Sequence, residues 1–187
     1  MKPAVFFDRD GTLIKAVHYL SKPDQVALID GVGQVLTELE QAGYLRVIVT
    51  NQAAIGKGLL TVGGLHQVQQ RLDELLDVEG ASIDGWYFCP EVRVATDDET
   101  IDFPDRKPGP GMLLQAARDF DISLADSWMV GDRLSDALAG KNAGCQGSIV
   151  IAPEAPGKEL LSHPSVDYVV TSITQINDII LRSRHPV

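Results

Sequence analysis

The chain has 187 residues, 44% of them hydrophobic and 22% charged, the balance of a globular domain long enough to bury a sizeable core. Its formal net charge of −10 excludes broad electrostatic binding to nucleic acid or to an anionic membrane. A small anionic substrate is not excluded, because a metal and a few local cations can reverse the field inside one cleft. Cys89 and Cys145 are too few for a disulfide framework or an all-cysteine zinc site and read as free thiols in a reducing compartment. No apolar run approaches the ~20 residues that span a bilayer. The N-terminal apolar run is cut at Asp8, so no signal peptide is read and a cytoplasmic location is expected.

In chain order, Ala4 to Phe7 reads as a short buried strand. It breaks into Asp8-Arg9-Asp10-Gly11-Thr12, two carboxylates at i and i+2 that a strand would place on one face. Such a pair repels itself, more so when buried, unless a hard cation such as Mg²⁺ sits between the two. Gly11 permits a tight departure of the chain, and Thr12 is expected to hydrogen-bond back to it. An Asp-Gly turn alone would look the same. What raises the pair above a turn is its place after a strand and three more polar stations downstream.

Lys15 to Ala27 is mixed and turn-rich, a loop or small hairpin. Asp30-Gly31 opens a helix with Val32, Val35, Leu36 and Leu39 at helical spacing, closed by Gly43. Arg46 to Val49 is a strand that meets the second station, Thr50-Asn51-Gln52, and Ala53 to Gly58 is a turn. Thr61 caps a helix to Val78, and Trp86 to Cys89 is an aromatic strand. Pro90 to Asp105 carries six acidic residues and no period, a loop long enough to suggest function or mobility.

Arg106-Lys107-Pro108 is the third station, before a helix over Gly111 to Phe120. Ser127 to Val130 is a strand running into the fourth station, Gly131-Asp132-Arg133 with Ser135-Asp136, where Ser135 is expected to cap a helix to Ala143. Strands at Gly147–Ile151 and Tyr168–Val170 and a helix from Ser172 to Leu181 complete the chain. Strand alternating with helix predicts one α/β domain over 1–187, a three-layer doubly wound fold around a mostly parallel sheet. All four stations fall at carboxyl ends of strands or just after them, along one edge of one sheet.

FFDRDGTLI, VTNQ, RKP and GDRLSD, in that order, resemble the four motifs of the haloacid dehalogenase (HAD) superfamily of phosphatases. The DRDGT opening, the run Thr50 to Gly58 and the RKP-x-P-GM run resemble its histidinol-phosphatase-like branch, and within it the heptose bisphosphate phosphatases. The resemblance implies a Mg²⁺-dependent phosphomonoesterase with Asp8 as nucleophile and Asp10 as acid and base. It implies Thr50 on the phosphoryl oxygens and Lys107 offsetting charge on them and on Asp8. The metal would be held by Asp8, the backbone carbonyl of Asp10, and Asp132, with Asp136 reaching either the outer coordination shell or Lys107.

Arg9, Tyr19, Asn51, Gln52, Arg106 and Arg133 are the expected substrate contacts, and a small phosphorylated metabolite the expected partner of a monomer without nucleic acid or membrane. Relatives of this branch carry a zinc loop before RKP. Here Cys89 keeps the first cysteine position while Glu91 stands at the histidine position and Asp105 at the last cysteine position, a poor donor set, so zinc is not expected. The spacing leaves no room for a cap domain. Sugar bisphosphate is the substrate the resemblance favours, with histidinol phosphate as alternative. Nucleic-acid ends and a binding module without turnover are weaker rivals, disfavoured by the acidic balance and by the intact Asp8, Asp10, Lys107 and Asp132.

Overall fold

The computed structural model describes residues 1–154 and 157–183. Six strands form one parallel sheet: β1 (Ala4–Phe7), β2 (Leu45–Asn51), β3 (Gly85–Cys89), β4 (Trp128–Gly131), β5 (Gly147–Ile151) and β6 (Tyr168–Val170). Their order is β3-β2-β1-β4-β5-β6, with β1 paired to β2 on one side and β4 on the other. The winding therefore reverses direction at β1, and open α/β sheets leave a crevice at the carboxyl ends of such strands.

The period of two in β1 sends its side chains to opposite faces. Val5 and Phe7 join Ile48 and Val130 in a core covered by α1 (Val32–Gln41), α3 (Val62–Val78) and α7 (Ile176–Ser183). Ala4 and Phe6 join Val47, Val49 and Met129 on the other face, beneath α4 (Gly111–Phe120) and α5 (Leu134–Ala143). A one-turn helix, α2 (Ala53–Gly56), and the short α6 (Lys158–Ser162) complete the set. Among the described residues no cap domain is inserted, and no helix is long and apolar enough to cross a membrane.

The structure corrects several boundaries. β2 runs on to Asn51 because Thr50 and Asn51 continue the ladder against Phe88 and Cys89 of β3. The turn expected over Ala53–Gly58 begins as a helical turn, and a 3-10 turn at Ile173–Gln175 precedes α7. Ser135 lies inside α5 and does not cap it: the backbone N–H groups of Asp132 and Arg133 donate to Asp136 Oδ2 at 3.1 and 3.0 Å. Thr12 does not fold its hydroxyl back onto the turn; its Oγ1 is buried without a partner, and the turn closes through backbone bonds to Arg9.

Candidate active site

Each station is delivered by a different element to the same edge of the sheet. The chain leaves β1 at Asp8, whose N–H still donates to Val130 O at 2.9 Å. Gly11 then turns at φ +86°, and a Cβ there would collide with the Asp132 carboxylate. Thr50 ends the buried part of β2, Asp132 follows β4, and Lys107 arrives from the long connection between β3 and α4. These residues line one open cavity of about 920 Å³, together with Asn51, Gln52 and the Lys15–Ala27 loop through Tyr19.

Lys107 is the hub. Its Nζ lies 2.7 Å from Asp8 Oδ1, 2.6 Å from Asp136 Oδ1 and 2.7 Å from Val49 O. An ammonium has three N–H bonds, and all three are engaged. Burial alone would lower the Lys107 pKa, but Asp136 and Asp8 outweigh it and hold the pKa above the ordinary value. Lys107 therefore acts on anything bound at Asp8 mainly through its field. Asn51 fixes its backbone reciprocally: Nδ2 donates to Lys107 O and Oδ1 accepts from Lys107 N, both at 3.1 Å.

Asp136 is saturated by this arrangement. Oδ1 takes Lys107 and Oδ2 takes two backbone N–H groups, so of the two roles left open for it the contact made is to Lys107. Gly131 makes room for it, since a Cβ there would overlap the Asp136 carboxylate. Asp132 is in the opposite condition. Its Oδ1 is buried with no hydrogen-bond partner. Burial, then the neighbouring Asp8 and Asp136 carboxylates, push its pKa up to about 7.

Ligand oxygens of Asp8, Asp132 and Asp136 lie within 4.8 Å of one another. An orphaned buried carboxylate oxygen beside a second carboxylate is a donor set that fits a hard divalent cation such as Mg²⁺.

Asp10 is oriented from two sides. Arg9, buried, donates through Nε and Nη2 at 3.2 and 2.9 Å. Gln52 Nε2 bridges Asp10 Oδ2 and Thr50 Oγ1, each at 2.9 Å. Arg9 and Gln52, expected on the substrate, thus have donors committed to Asp10, and Asn51 to Lys107. Tyr19 lies at the rim in a left-handed backbone conformation, its hydroxyl accepting from Lys57 Nζ at 2.8 Å. The Arg133 side chain is 79% exposed at the mouth of the cavity. Arg106 lines the wall, with Nη1 donating to Glu91 O at 2.8 Å.

The sequence reading missed two charged wall residues in the polar run 90–105, Arg93 and Asp98. Hydrogen bonds order that run: Asp102 accepts from the N–H groups of Val94 and Ala95, and Asp97 from those of Glu99 and Thr100.

The chain is similar to known proteins over most of its length. The HAD-hydrolase-like family model matches residues 105–176. A D-glycero-beta-D-manno-heptose-1,7-bisphosphate 7-phosphatase from Pasteurella multocida is 37% identical over 96% of this chain and 97% of its own. The protein of the same description from Escherichia coli K12 is 32% identical, over 98% and 96%. The structure of a D,D-heptose 1,7-bisphosphate phosphatase from B. bronchiseptica, complexed with magnesium and phosphate, superposes with a TM-score of 0.80. It is 26% identical and the match covers 97% of this chain and 99% of that one.

Proposed function

The chain belongs to the HAD-like phosphatases, hydrolases of phosphoric monoesters, and from that premise we propose that it removes one phosphate from a sugar bisphosphate, D-glycero-D-manno-heptose 1,7-bisphosphate in the first instance. The observation that carries the reading is the convergence on one edge of the sheet of Asp8 and Asp132, each just past a strand end, with Lys107 from the connection between β3 and α4. The whole chain is read as one phosphatase domain. Support comes from a single sheet that takes strands from residue 4 to residue 170.

Asp8 attacks phosphorus and the ester oxygen departs, leaving an aspartyl phosphate. Lys107 holds Asp8 by Oδ1, and among the described residues no hydrogen bond falls on Oδ2. Asp10, steadied by Arg9 and Gln52, gives a proton to the leaving alkoxide and then takes one from the water that hydrolyses the intermediate. Thr50 Oγ1, held by Gln52, faces the transferred group. Asp8, Asp132 and the backbone carbonyl of Asp10 would hold Mg²⁺, with Asp136 behind Lys107. Bound there, the cation supplies charge neutralisation that lets a carboxylate approach a phosphate dianion. Zinc is given no part.

Arg106 and Arg133 are read as contacts for the second phosphate, and Tyr19 as a contact for the sugar at the rim. Histidinol phosphate carries one phosphate and an ammonium group, which a wall of guanidiniums repels. The bisphosphate is therefore preferred. Hydrolysis of p-nitrophenyl phosphate that needs Mg²⁺ and disappears in Asp8→Asn is the expected result. Turnover surviving that substitution would remove Asp8 from the reaction. A wild type that ignores heptose bisphosphate while accepting other phosphorylated metabolites would overturn the substrate.

A further inference from the structure

Arg93 takes no part in the chemistry above. It lines the same cavity wall as Arg106 and Arg133, and its side chain is 27% exposed. Nε donates to Ala95 O at 3.1 Å and Nη1 pairs with Asp98. Nη2 is buried without a partner, and so is Nε of the neighbouring Arg106. An unpaired buried donor is unfavourable, so both guanidiniums are incompletely satisfied as they stand.

Their charges also oppose one another. Burial lowers the Arg106 pKa, and Arg93 and Arg133 push it the same way. On a chain of net charge −10, three guanidiniums line one cavity, and Arg106 feels both of the others.

Asp98 is what Arg93 now holds, and its side chain is 62% exposed. An exposed pair of this kind contributes little, so its partner is readily exchanged for a stronger anion. A phosphate dianion offers the guanidinium fork two acceptors in the geometry it prefers. The chain beside Arg93 is fixed for such a contact, because Asp102 pins the next two N–H groups, of Val94 and Ala95.

We propose that Arg93 is a specificity-determining residue: it exchanges Asp98 for the phosphate that is not hydrolysed, and completes with Arg106 and Arg133 a three-arginine clamp on a sugar bisphosphate. The inference rests on the reading of the chain as a sugar bisphosphatase.

Four proteins test it, wild type, Arg93→Ala, Arg93→Lys and Asp98→Ala, each assayed with Mg²⁺ on heptose 1,7-bisphosphate and on p-nitrophenyl phosphate. Arg93→Ala is expected to lose about tenfold in kcat/KM on the bisphosphate, mostly in KM, and nothing on p-nitrophenyl phosphate. Arg93→Lys should recover part of the loss. Asp98→Ala, which removes the competing carboxylate, should match or exceed wild type on the bisphosphate.

Three results would overturn the clamp alone. One is Arg93→Ala equal to wild type on the bisphosphate. Another is equal losses on both esters, which marks a structural residue or a misfolded variant. The third is Asp98→Ala reproducing the Arg93→Ala loss, which marks the ion pair as a staple of the loop. A wild type that does not hydrolyse the bisphosphate overturns the parent reading, and this one with it.

Discussion

Asp132 and Asp136 are four residues apart and differ in one respect that decides their behaviour. Every oxygen of Asp136 has a hydrogen-bond or ion-pair partner at 3.1 Å or less; the buried Oδ1 of Asp132 has no hydrogen bond and only Arg133 Nε at 3.9 Å. Removing a buried charge partner costs about 3–5 kcal/mol because the other charge is left behind. Asp136→Asn leaves Lys107 with Asp8 as its one anionic partner. Because Asp8 still compensates Lys107, the cost should fall below that range, about 1–2 kcal/mol in urea unfolding, with a lower kcat as well. An unchanged midpoint would mean that the pair contributes nothing to the fold.

Asp132 predicts the pH dependence of metal binding. Its folded pKa of about 7 stands above the ordinary aspartate value of 3.8. An acid whose pKa rises on folding favours the fold fully below its unfolded pKa, and that contribution is lost as pH climbs through the folded one. Metal-free protein should thus lose stability between about pH 4 and pH 7 on account of this group. Mg²⁺ binds the ionised carboxylate, so the rise in Tm produced by a fixed Mg²⁺ concentration should be larger at about pH 8 than at about pH 5.5. A shift independent of pH would show that Asp132 gives up no proton to the metal.

At the scale of elements, the polar run 90–105 is the informative case. Cys89, Glu91 and Asp105 are a weak zinc set, yet the run is ordered, through Asp102, Asp97, Arg93 and the Arg106 contact to Glu91 O. Carboxylates accepting backbone N–H groups tie the run together without a metal among those contacts. Exhaustive treatment with a zinc-selective chelator, followed by assay with Mg²⁺ restored, should leave both Tm and turnover unchanged. Loss of activity that zinc alone restores would contradict the proposed zinc independence.

The strands and long helices were legible because their apolar periods are plain, as in β1 and in α1 with Val32, Val35, Leu36 and Leu39. Three of the four polar stations were legible because each ends such a run, and Arg106-Lys107-Pro108 because it stands just before the period of α4. The hidden parts depend on partners distant in sequence. The end of β2 is set by its ladder to β3, and the cap of α5 by a carboxylate that also serves Lys107. The short α6 has too few turns for a period to show. Arg93 sits in a stretch without period, and only the folding of that stretch against the cavity makes its position visible.

The molecule as a whole presents an electrostatic conflict to the proposed substrate. A bisphosphate approaching from solvent meets a body of net charge −10, and only inside the cavity does it meet Lys107 and the arginines. The two fields differ in range. At about 0.01 M ionic strength the Debye length is about 30 Å, so the whole body repels the ligand. At about 0.15 M it is about 8 Å, which removes most of that repulsion while contacts between guanidinium and phosphate persist.

With Mg²⁺ held constant, kcat/KM on the bisphosphate should therefore rise by about twofold between these salt levels before direct screening of the clamp reverses the trend. Singly phosphorylated p-nitrophenyl phosphate carries less charge and should respond less. A monotonic fall with salt on the bisphosphate would mean that the cavity's cations already dominate at long range, and that the acidic surface has no effect on capture.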